Sequence, residues 1–158
     1  MTVPSMIIGW REYISLPDLG VDKISAKIDS GARTSCLHAV DIEEFKKSDG
    51  IYVRFNTLSD DGSIECEAKV KEKRMVKSSN GVENTRYVII SHIQVGAYKW
   101  PVEVTLSNRK NMTYKMLFGR TSMGVDFLIN PKESFLQGEP QGTLILRKKL
   151  YKAGVEHV

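Results

Sequence analysis

Alternation of apolar and polar residues with a period of two is the feature that most constrains the fold of this chain. Ile64, Cys66, Ala68 and Val70 alternate with glutamates and lysines, so the apolar set occupies one face of a β-strand and the charged set occupies the other. The Asp-Asp-Gly sequence at residues 60–62 predicts a hairpin turn into that strand. The chain is therefore predicted to contain antiparallel hairpins.

Similar strand patterns recur over most of the chain, whereas a helix is predicted only at residues 121–125. Strands are predicted at residues 10–16, 24–29, 51–57, 64–70, 73–76, 86–95, 100–106, 116–118, 127–129 and 144–146. Together these elements predict an all-β, barrel-like single domain with one short helix.

Length and composition are those of an ordinary single-domain protein. The 158 residues suffice for one hydrophobic core. The net charge is only +4, and the basic residues are interspersed with acidic ones, so no nucleic-acid partner is predicted. No stretch has the length of a membrane span or the pattern of a targeting segment, which predicts a cytoplasmic protein without membrane attachment. Cys36 and Cys66 are predicted to be free thiols.

One predicted strand ends in a carboxylate. Apolar and polar residues alternate over residues 24–28, and Asp29 is followed directly by Ser30 and Gly31. Gly31 permits a tight turn and the close approach of another chain, and the hydroxyl of Ser30 can hydrogen-bond to neighbouring backbone groups. The loop therefore presents one fixed carboxylate, although Asp, Ser and Gly also form ordinary surface turns.

Two segments together resemble the retropepsin-type aspartic peptidases. They are the Asp-Ser-Gly-Ala at residues 29–32, followed by Thr34 and Ser35, and the apolar residues followed by Gly-Arg at 116–120. More closely, the chain is similar to one bacterial and archaeal family, named ATP-dependent zinc proteases or retropepsin-like proteins and often associated with RimK-type amino-acid ligases. The residues that carry this resemblance lie at 8–12, 16–17, 26–35, 37–39, 106–109, 112, 116–120 and 127–131.

The resemblance implies a fold and its limits. It implies a single retropepsin-like domain at residues 1–158, folded as a closed or partly open barrel of the acid-protease type. The core is expected at about residues 7–138, and a C-terminal strand or tail is expected at residues 142–158.

The resemblance also implies an activity, the hydrolysis of peptide or isopeptide bonds by an aspartic peptidase. Asp29 is the implied catalytic residue, and Ser30, Gly31, Ala32 and Thr34 belong to its active-site loop. Aspartic hydrolysis requires two carboxylates that share a proton, whereas the chain carries a single Asp-Ser-Gly. The implied solution is a homodimer in which a second copy supplies the other carboxylate. The alternative is a non-catalytic binding or regulatory module on the same scaffold that modulates a RimK-type ligase.

Candidate substrate contacts come from two parts of the chain. Arg33 and Arg120 adjoin the two segments that resemble aspartic peptidases, and they are predicted to bind carboxylates of an acidic peptide or protein substrate. Arg109 is a further candidate for contacting acidic groups, and for Arg109 and Arg120 a structural salt bridge is the open alternative. The polar segment at residues 78–84 is predicted to form a flap over the site, with Asn80 and Gly81 contacting the substrate.

Metal and nucleotide binding are not predicted, in spite of the name given to the similar family. His38, His92 and His157 are the only histidines, and no His-Glu-x-x-His sequence is present. A glycine-rich phosphate-binding loop is also absent from the sequence. We therefore expect no metal ligands and no cofactor.

Overall fold

The structure, a computed structural model, describes residues 6–77, 80–124, 126–141 and 144–145. The described part is mostly β-structure, with two 3-10 helices of three residues each at Pro17–Leu19 and Arg120–Ser122. The strands, numbered β1 to β12 in chain order, are Met6–Ile8, Arg11–Leu16, Val21–Asp29, Ser35–His38, Val40–Lys47, Gly50–Ser59, Gly62–Lys77, Glu83–Val95, Tyr98–Ser107, Met116–Gly119, Phe127–Ile129 and Leu144–Ile145.

Six strands form a closed barrel. Hydrogen-bonded neighbours follow the order β9–β4–β10–β3–β2–β8, and the antiparallel pairing of β8 with β9 closes the ring. Their apolar side chains contribute most of the core, in which Ile24, Leu37, Ile93, Trp100 and Phe118 are each at most 2% exposed. The all-β barrel predicted from the sequence is thereby confirmed.

An antiparallel sheet extends from the barrel through β8, β7, β6 and β5. Strand β7 is one continuous strand, rather than the two short strands predicted, because a register shift between Val70 and Glu72 takes the place of a break. The sequence does not predict β5. Its side chains are mostly polar and none is fully buried, so it lacks the apolar alternation by which a strand is recognised.

The helix predicted at residues 121–125 is shorter than expected, a single turn of 3-10 helix at Arg120–Ser122. It ends there because Met123 has extended backbone angles, φ −93° and ψ 144°, and a glycine follows. Residue 125 lies outside the described part of the chain. None of the helices in the described ranges is long and apolar enough to cross a membrane.

Strands near both ends of the chain add to the sheets. β1 and β11 form a two-stranded parallel sheet in which Ile7 pairs with Leu128, and β12 pairs in parallel with β9. The strand predicted at residues 127–129 is thus confirmed, and a strand is present within the predicted segment 144–146. The other residues of the predicted tail at 142–158 lie outside the described ranges, and the limits of the domain stay a prediction.

Candidate active site

Strand β10 lies between β3 and β4, and this arrangement brings together the two segments that resemble aspartic peptidases. It is parallel to β3 and antiparallel to β4, and Gly119 at its end pairs with Asp29. A Cβ atom on residue 119 would lie 2.5 Å from the carbonyl carbon of Thr34, a contact that only glycine avoids. The Asp-Ser-Gly loop and the end of β10 therefore form one structural unit.

Asp29 ends β3, as predicted, and its half-buried side chain lines a groove. Its Oδ1 atom accepts hydrogen bonds from the backbone N–H groups of Gly31 (3.0 Å) and Ala32 (3.2 Å). Its Oδ2 atom accepts none from the residues that the structure describes. The amides of the loop thus fix the orientation of the carboxylate and leave one oxygen open to water or a ligand.

Arg120 supports this loop from the adjacent strand end. Its backbone N–H donates to the carbonyl oxygen of Ala32 at 2.9 Å. Its guanidinium Nη1 donates to the carbonyl oxygens of Ser30 and Gly31 at 3.2 and 3.3 Å. These contacts make Arg120 a positioning residue for the loop. Its predicted contact with substrate stays a prediction.

Two buried serines, Ser35 and Ser122, link the end of the Asp-Ser-Gly loop to the end of β10 by hydrogen bonds. Neither is predicted from the sequence to be a site residue. The hydroxyls of Ser35 and Ser122 lie 2.5 Å apart, and the Oγ atom of Ser35 also accepts the N–H of Gly119 at 3.0 Å. Neither serine is exposed. The only signal in the sequence for Ser35 is its position at the start of β4, directly before the apolar pair Cys36 and Leu37.

The groove that Asp29 lines, which we call the Asp29 groove, has a volume of about 310 Å³. Its walls carry two cationic side chains as well as aromatic and apolar ones: Lys27, Arg109, Met112, Thr113, Tyr114 and Leu117. The Nε of Arg109 donates to the carbonyl oxygen of Tyr114 at 3.0 Å. Asp29 is the only carboxylate in this wall, so a second acid for aspartic hydrolysis is not supplied by the described residues of the groove.

A second groove of about 450 Å³, which we call the ribbon groove, lies between the loop and β7. The loop contributes Ala32, Arg33 and Thr34, and residues 74–77 of β7 form the opposite side. The ribbon groove shares Arg109 and Leu117 with the Asp29 groove and also contains Cys36, Arg86 and Thr105. Arg33 is exposed, lines this groove and belongs to none of the ion pairs within 4 Å that the described residues form.

The flap is predicted at residues 78–84, where the chain passes from β7 to β8, and these two strands form a ribbon. Asn80 and Gly81 are exposed at its turn, and Gly81 has φ +85°, which glycine adopts without strain. The structure does not bring these two residues into the wall of the Asp29 groove or of the ribbon groove; residues 74–77 of the ribbon lie there instead. Residues 78–79 are outside the described ranges, and the contact of Asn80 and Gly81 with substrate stays a prediction.

Among the described residues, no group of three or more His, Cys, Asp or Glu side chains is placed to hold a metal ion. The Nδ1 atom of buried His38 accepts the N–H of Arg109 at 2.8 Å. Burial lowers the pKa of His38, and the charges of Lys115 and Arg109 lower it further. Cys36 and Cys66 are buried free thiols, and burial raises the pKa of Cys66 to about 11.

Comparison with known proteins places this geometry in a family context. Residues 7–140 match the family described as RimB-like, retropepsin-like aspartic endopeptidase RimB. A solved structure from Legionella pneumophila, of a protein of unknown function, shares 31% sequence identity and has a TM-score of 0.72, over 84% of this chain and 98% of that one.

Curated relatives carry a different name. A probable alpha-L-glutamate ligase from Shewanella pealeana is 46% identical over 143 residues, which is 88% of this chain and 31% of that protein. Another probable alpha-L-glutamate ligase, from Parasynechococcus marenigrum, is 41% identical over 138 residues, 85% of this chain and 30% of that protein. The chain thus spans about a third of the length of the curated relatives that it matches.

Proposed function

The chain belongs to the RimB-like family of retropepsin-like aspartic endopeptidases, and from that premise we propose that it is a homodimeric aspartic peptidase that cleaves acidic peptide chains. The observation that carries the proposal is Asp29. Its carboxylate is held by two amides through one oxygen, and its other oxygen is open, in a groove bordered by Lys27 and Arg109.

The homodimer follows from the chemistry of the reaction. Two carboxylates are needed, and the walls of the Asp29 groove contain only Asp29 among the described residues. We infer that the second carboxylate is Asp29 of another copy. Ile7 and Leu128, paired across β1 and β11, are 47% and 54% exposed, and they offer an apolar surface on which such a copy could pack.

In this dimer the two Asp29 carboxyls have different protonation states. The ionised one accepts a proton from water as the water oxygen attacks the scissile carbonyl carbon, and the protonated one donates a hydrogen bond to the carbonyl oxygen. The carbon–nitrogen bond of the tetrahedral intermediate then breaks, and the Asp29 carboxyl that took the proton from water gives it to the leaving nitrogen. The amides of Gly31 and Ala32 keep each carboxylate in the orientation that this exchange needs.

A preference for acidic substrates is supported by the charges beside Asp29. The Asp29 groove and the ribbon groove together contain Lys27, Arg33, Arg74, Lys77, Arg86 and Arg109. Arginine binds carboxylates with two parallel hydrogen bonds, which gain strength where water is excluded. The relatives named as glutamate ligases fit this preference, because a ligase that adds glutamate produces an acidic chain that a peptidase domain of the same protein could shorten.

Cleavage of synthetic peptides tests the proposal. We expect glutamate oligopeptides to be cleaved faster than glutamine oligopeptides of equal length, and Asp29→Asn to lower the rate by about a thousandfold because it removes the proton acceptor. The rate per chain should rise with protein concentration over the range in which light scattering shows dimer formation. Full turnover by Asp29→Asn, or by a protein that is monomeric throughout, would refute the aspartic mechanism.

The second candidate function is a non-catalytic module that modulates a RimK-type ligase. The relatives' name, together with their additional length, favours it. Binding of glutamate oligopeptides without any cleavage, by wild type and Asp29→Asn alike, would identify this function. Cleavage that depends on Asp29 would exclude it as the sole role.

A further inference from the structure

A groove larger than the Asp29 groove and the ribbon groove does not contain Asp29. This distal cavity, of about 950 Å³, lies between β5 and β6 on one side and the adjoining ends of β8 and β9 on the other. Its walls include His38, Thr57, Asn84, Arg86, Ser107 and Lys110. None of the residues assigned to catalysis or to the active-site loop takes part in it.

The distal cavity continues the ribbon groove along one face of the barrel. On β4, Cys36 lines the ribbon groove and His38 lines the cavity. On β9, Thr105 lines the ribbon groove and Ser107 lines the cavity. Residues two apart on a strand share a face, so the two spaces have one continuous floor. Arg86 belongs to the walls of both.

The polar groups of the cavity suit an anionic ligand. Arg86 and Lys110 belong to none of the ion pairs within 4 Å that the described residues form, whereas the carboxylate of Asp41, the one acid in the wall, accepts a hydrogen bond from the side-chain amide of Asn56 at 3.3 Å. His38 accepts at Nδ1, so in its neutral form Nε2 carries the proton and is the donor left for a ligand.

The buried hydroxyl of Thr57 is a separate observation that favours a ligand-binding role for the cavity. Thr57 is 1% exposed, and its Oγ1 is a buried side-chain atom without a hydrogen-bond partner in the described part of the chain. A buried polar atom without a partner costs free energy. Because Thr57 lines the distal cavity, a ligand with hydrogen-bonding oxygens can relieve that cost.

Charge repulsion between two arginines of the ribbon also favours an anionic ligand at this place. Arg74 and Arg86 are directly opposite each other on β7 and β8, and like charges in that position destabilise a sheet. Arg74 is compensated by Glu72 and by Glu103, the latter at 3.4 Å, but Arg86 takes part in none of the ion pairs in the described residues. A carboxylate bound between the ribbon groove and the distal cavity would compensate Arg86.

We infer that the distal cavity is a binding subsite for a carboxylate-bearing segment of the substrate, remote from the bond that is cleaved. This inference rests on the proposed function. Ser35 lies next to the active-site loop, and His38 lines the distal cavity. The two residues are three positions apart on β4, which corresponds to about 10 Å along the strand. An extended peptide covers that distance in about three to four residues. With this subsite the protein would select acidic chains that are long enough to occupy the cleavage site at Asp29 and the distal cavity at the same time.

Binding measured without turnover tests the subsite. Fluorescent glutamate oligopeptides of about four and about ten residues are titrated against Asp29→Asn at about 0.1 M salt. We expect the longer peptide to bind at least tenfold more tightly. Adding Lys110→Gln, or Thr57→Val, should lower the ratio of the two affinities by about fivefold, because each removes one hydrogen-bonding group from the subsite. Lys132→Gln, the same charge change at an exposed lysine that lines none of these grooves, should preserve the ratio.

Thr57→Val also separates binding from folding. It removes an unpaired buried hydroxyl, so its free energy of unfolding should be equal to or higher than that of the wild type while its binding of the longer peptide weakens. Equal affinities for the two peptides, or an equal loss with Lys110→Gln and Lys132→Gln, would overturn the subsite. Length-dependent binding without cleavage by the wild type would instead retain the subsite and reject the peptidase.

Discussion

Two carboxylates on barrel strands, Glu12 on β2 and Asp29 at the end of β3, both accept hydrogen bonds from backbone amides, but the two sets of bonds have different consequences. Glu12 is fully buried, and its two oxygens accept the N–H groups of Gly9 (2.7 Å), Leu136 (2.9 Å) and Gln137 (3.0 Å). Asp29 is half-buried and uses only Oδ1, for amides of its own loop.

The difference separates a structural acid from a chemical one. The amide partners of Glu12 at residues 136 and 137 are 124 and 125 positions away in the chain, so Glu12 ties distant segments together and has both oxygens occupied. The carboxylate of Asp29 binds only Gly31 and Ala32 of its own loop and keeps Oδ2 open on the groove. A carboxylate that is saturated by buried amides stabilises the fold, whereas one with an open oxygen can bind water or exchange a proton.

Replacing each of the two acids by its amide tests this comparison with the largest expected effect. Glu12→Gln should lower the free energy of unfolding by roughly 3 kcal/mol, because the amide group cannot accept hydrogen bonds at its nitrogen and leaves a buried N–H without a partner. Asp29→Asn should change it by less than about 0.5 kcal/mol. Urea unfolding measures both values.

The control for charge loss alone is Glu43→Gln, at an exposed position on β5, for which we expect a change within about 0.5 kcal/mol. If Asp29→Asn proved as destabilising as Glu12→Gln, the two carboxylates would have the same structural role and the contrast between them would be lost.

A smaller effect is expected from Arg120, which sharpens the chemical side of the comparison. Arg120→Gln removes the donors that hold the carbonyls of Ser30 and Gly31, so we expect kcat to fall by about tenfold for acidic and neutral peptides alike. Peptide cleavage by wild type and variant provides the measurement.

Arg33→Gln is the matched variant on the same loop. Because Arg33 is exposed and lines the ribbon groove, its loss should raise KM for acidic peptides and leave neutral ones unaffected. A rise in KM confined to acidic peptides for Arg120→Gln would mean that Arg120 acts on the substrate, and its positioning role would not explain the result.

The smallest effect concerns pH and the floor of the distal cavity. The pKa of His38 is lowered in the folded protein below its usual value of 6.5. Between the two values the unfolded chain binds more protons, so the free energy of unfolding rises with pH there and falls as the solution is acidified below about 6.5. Urea unfolding at a series of pH values measures the slope.

His38→Asn should reduce that slope, since the asparagine oxygen can still accept the N–H of Arg109 but does not titrate. An unchanged slope in His38→Asn would assign the acid sensitivity to other groups, such as carboxylates with lowered pKa values. Asp18 is one of these: burial acts to raise its pKa, but hydrogen bonds from His92, together with nearby positive charge, lower the pKa overall.

Much of this molecule is determined by local sequence. The alternation at residues 64–70 and the loop after Asp29 predict strands and a turn from neighbouring residues alone, because side chains on a strand alternate between its faces whatever the partner strand is. The same local signals, with the resemblance they carry, identified the fold class and the catalytic candidate. The strand β5 was missed because its residues are mostly polar and mostly exposed, which leaves no such local signal.

Tertiary structure alone decided which distant segments meet. The pairing of β10 with β3, the hydrogen bond of Ser35 with Ser122 and the amides of Leu136 and Gln137 on Glu12 each join residues more than 80 positions apart. The same packing brings Arg33, Arg86 and Arg109 to one groove. Such pairings are selected by the free energy of the whole packed barrel, in which buried polar groups must find partners. A pattern that repeats every two residues determines the face on which a side chain lies, but it does not determine which strand will be its neighbour.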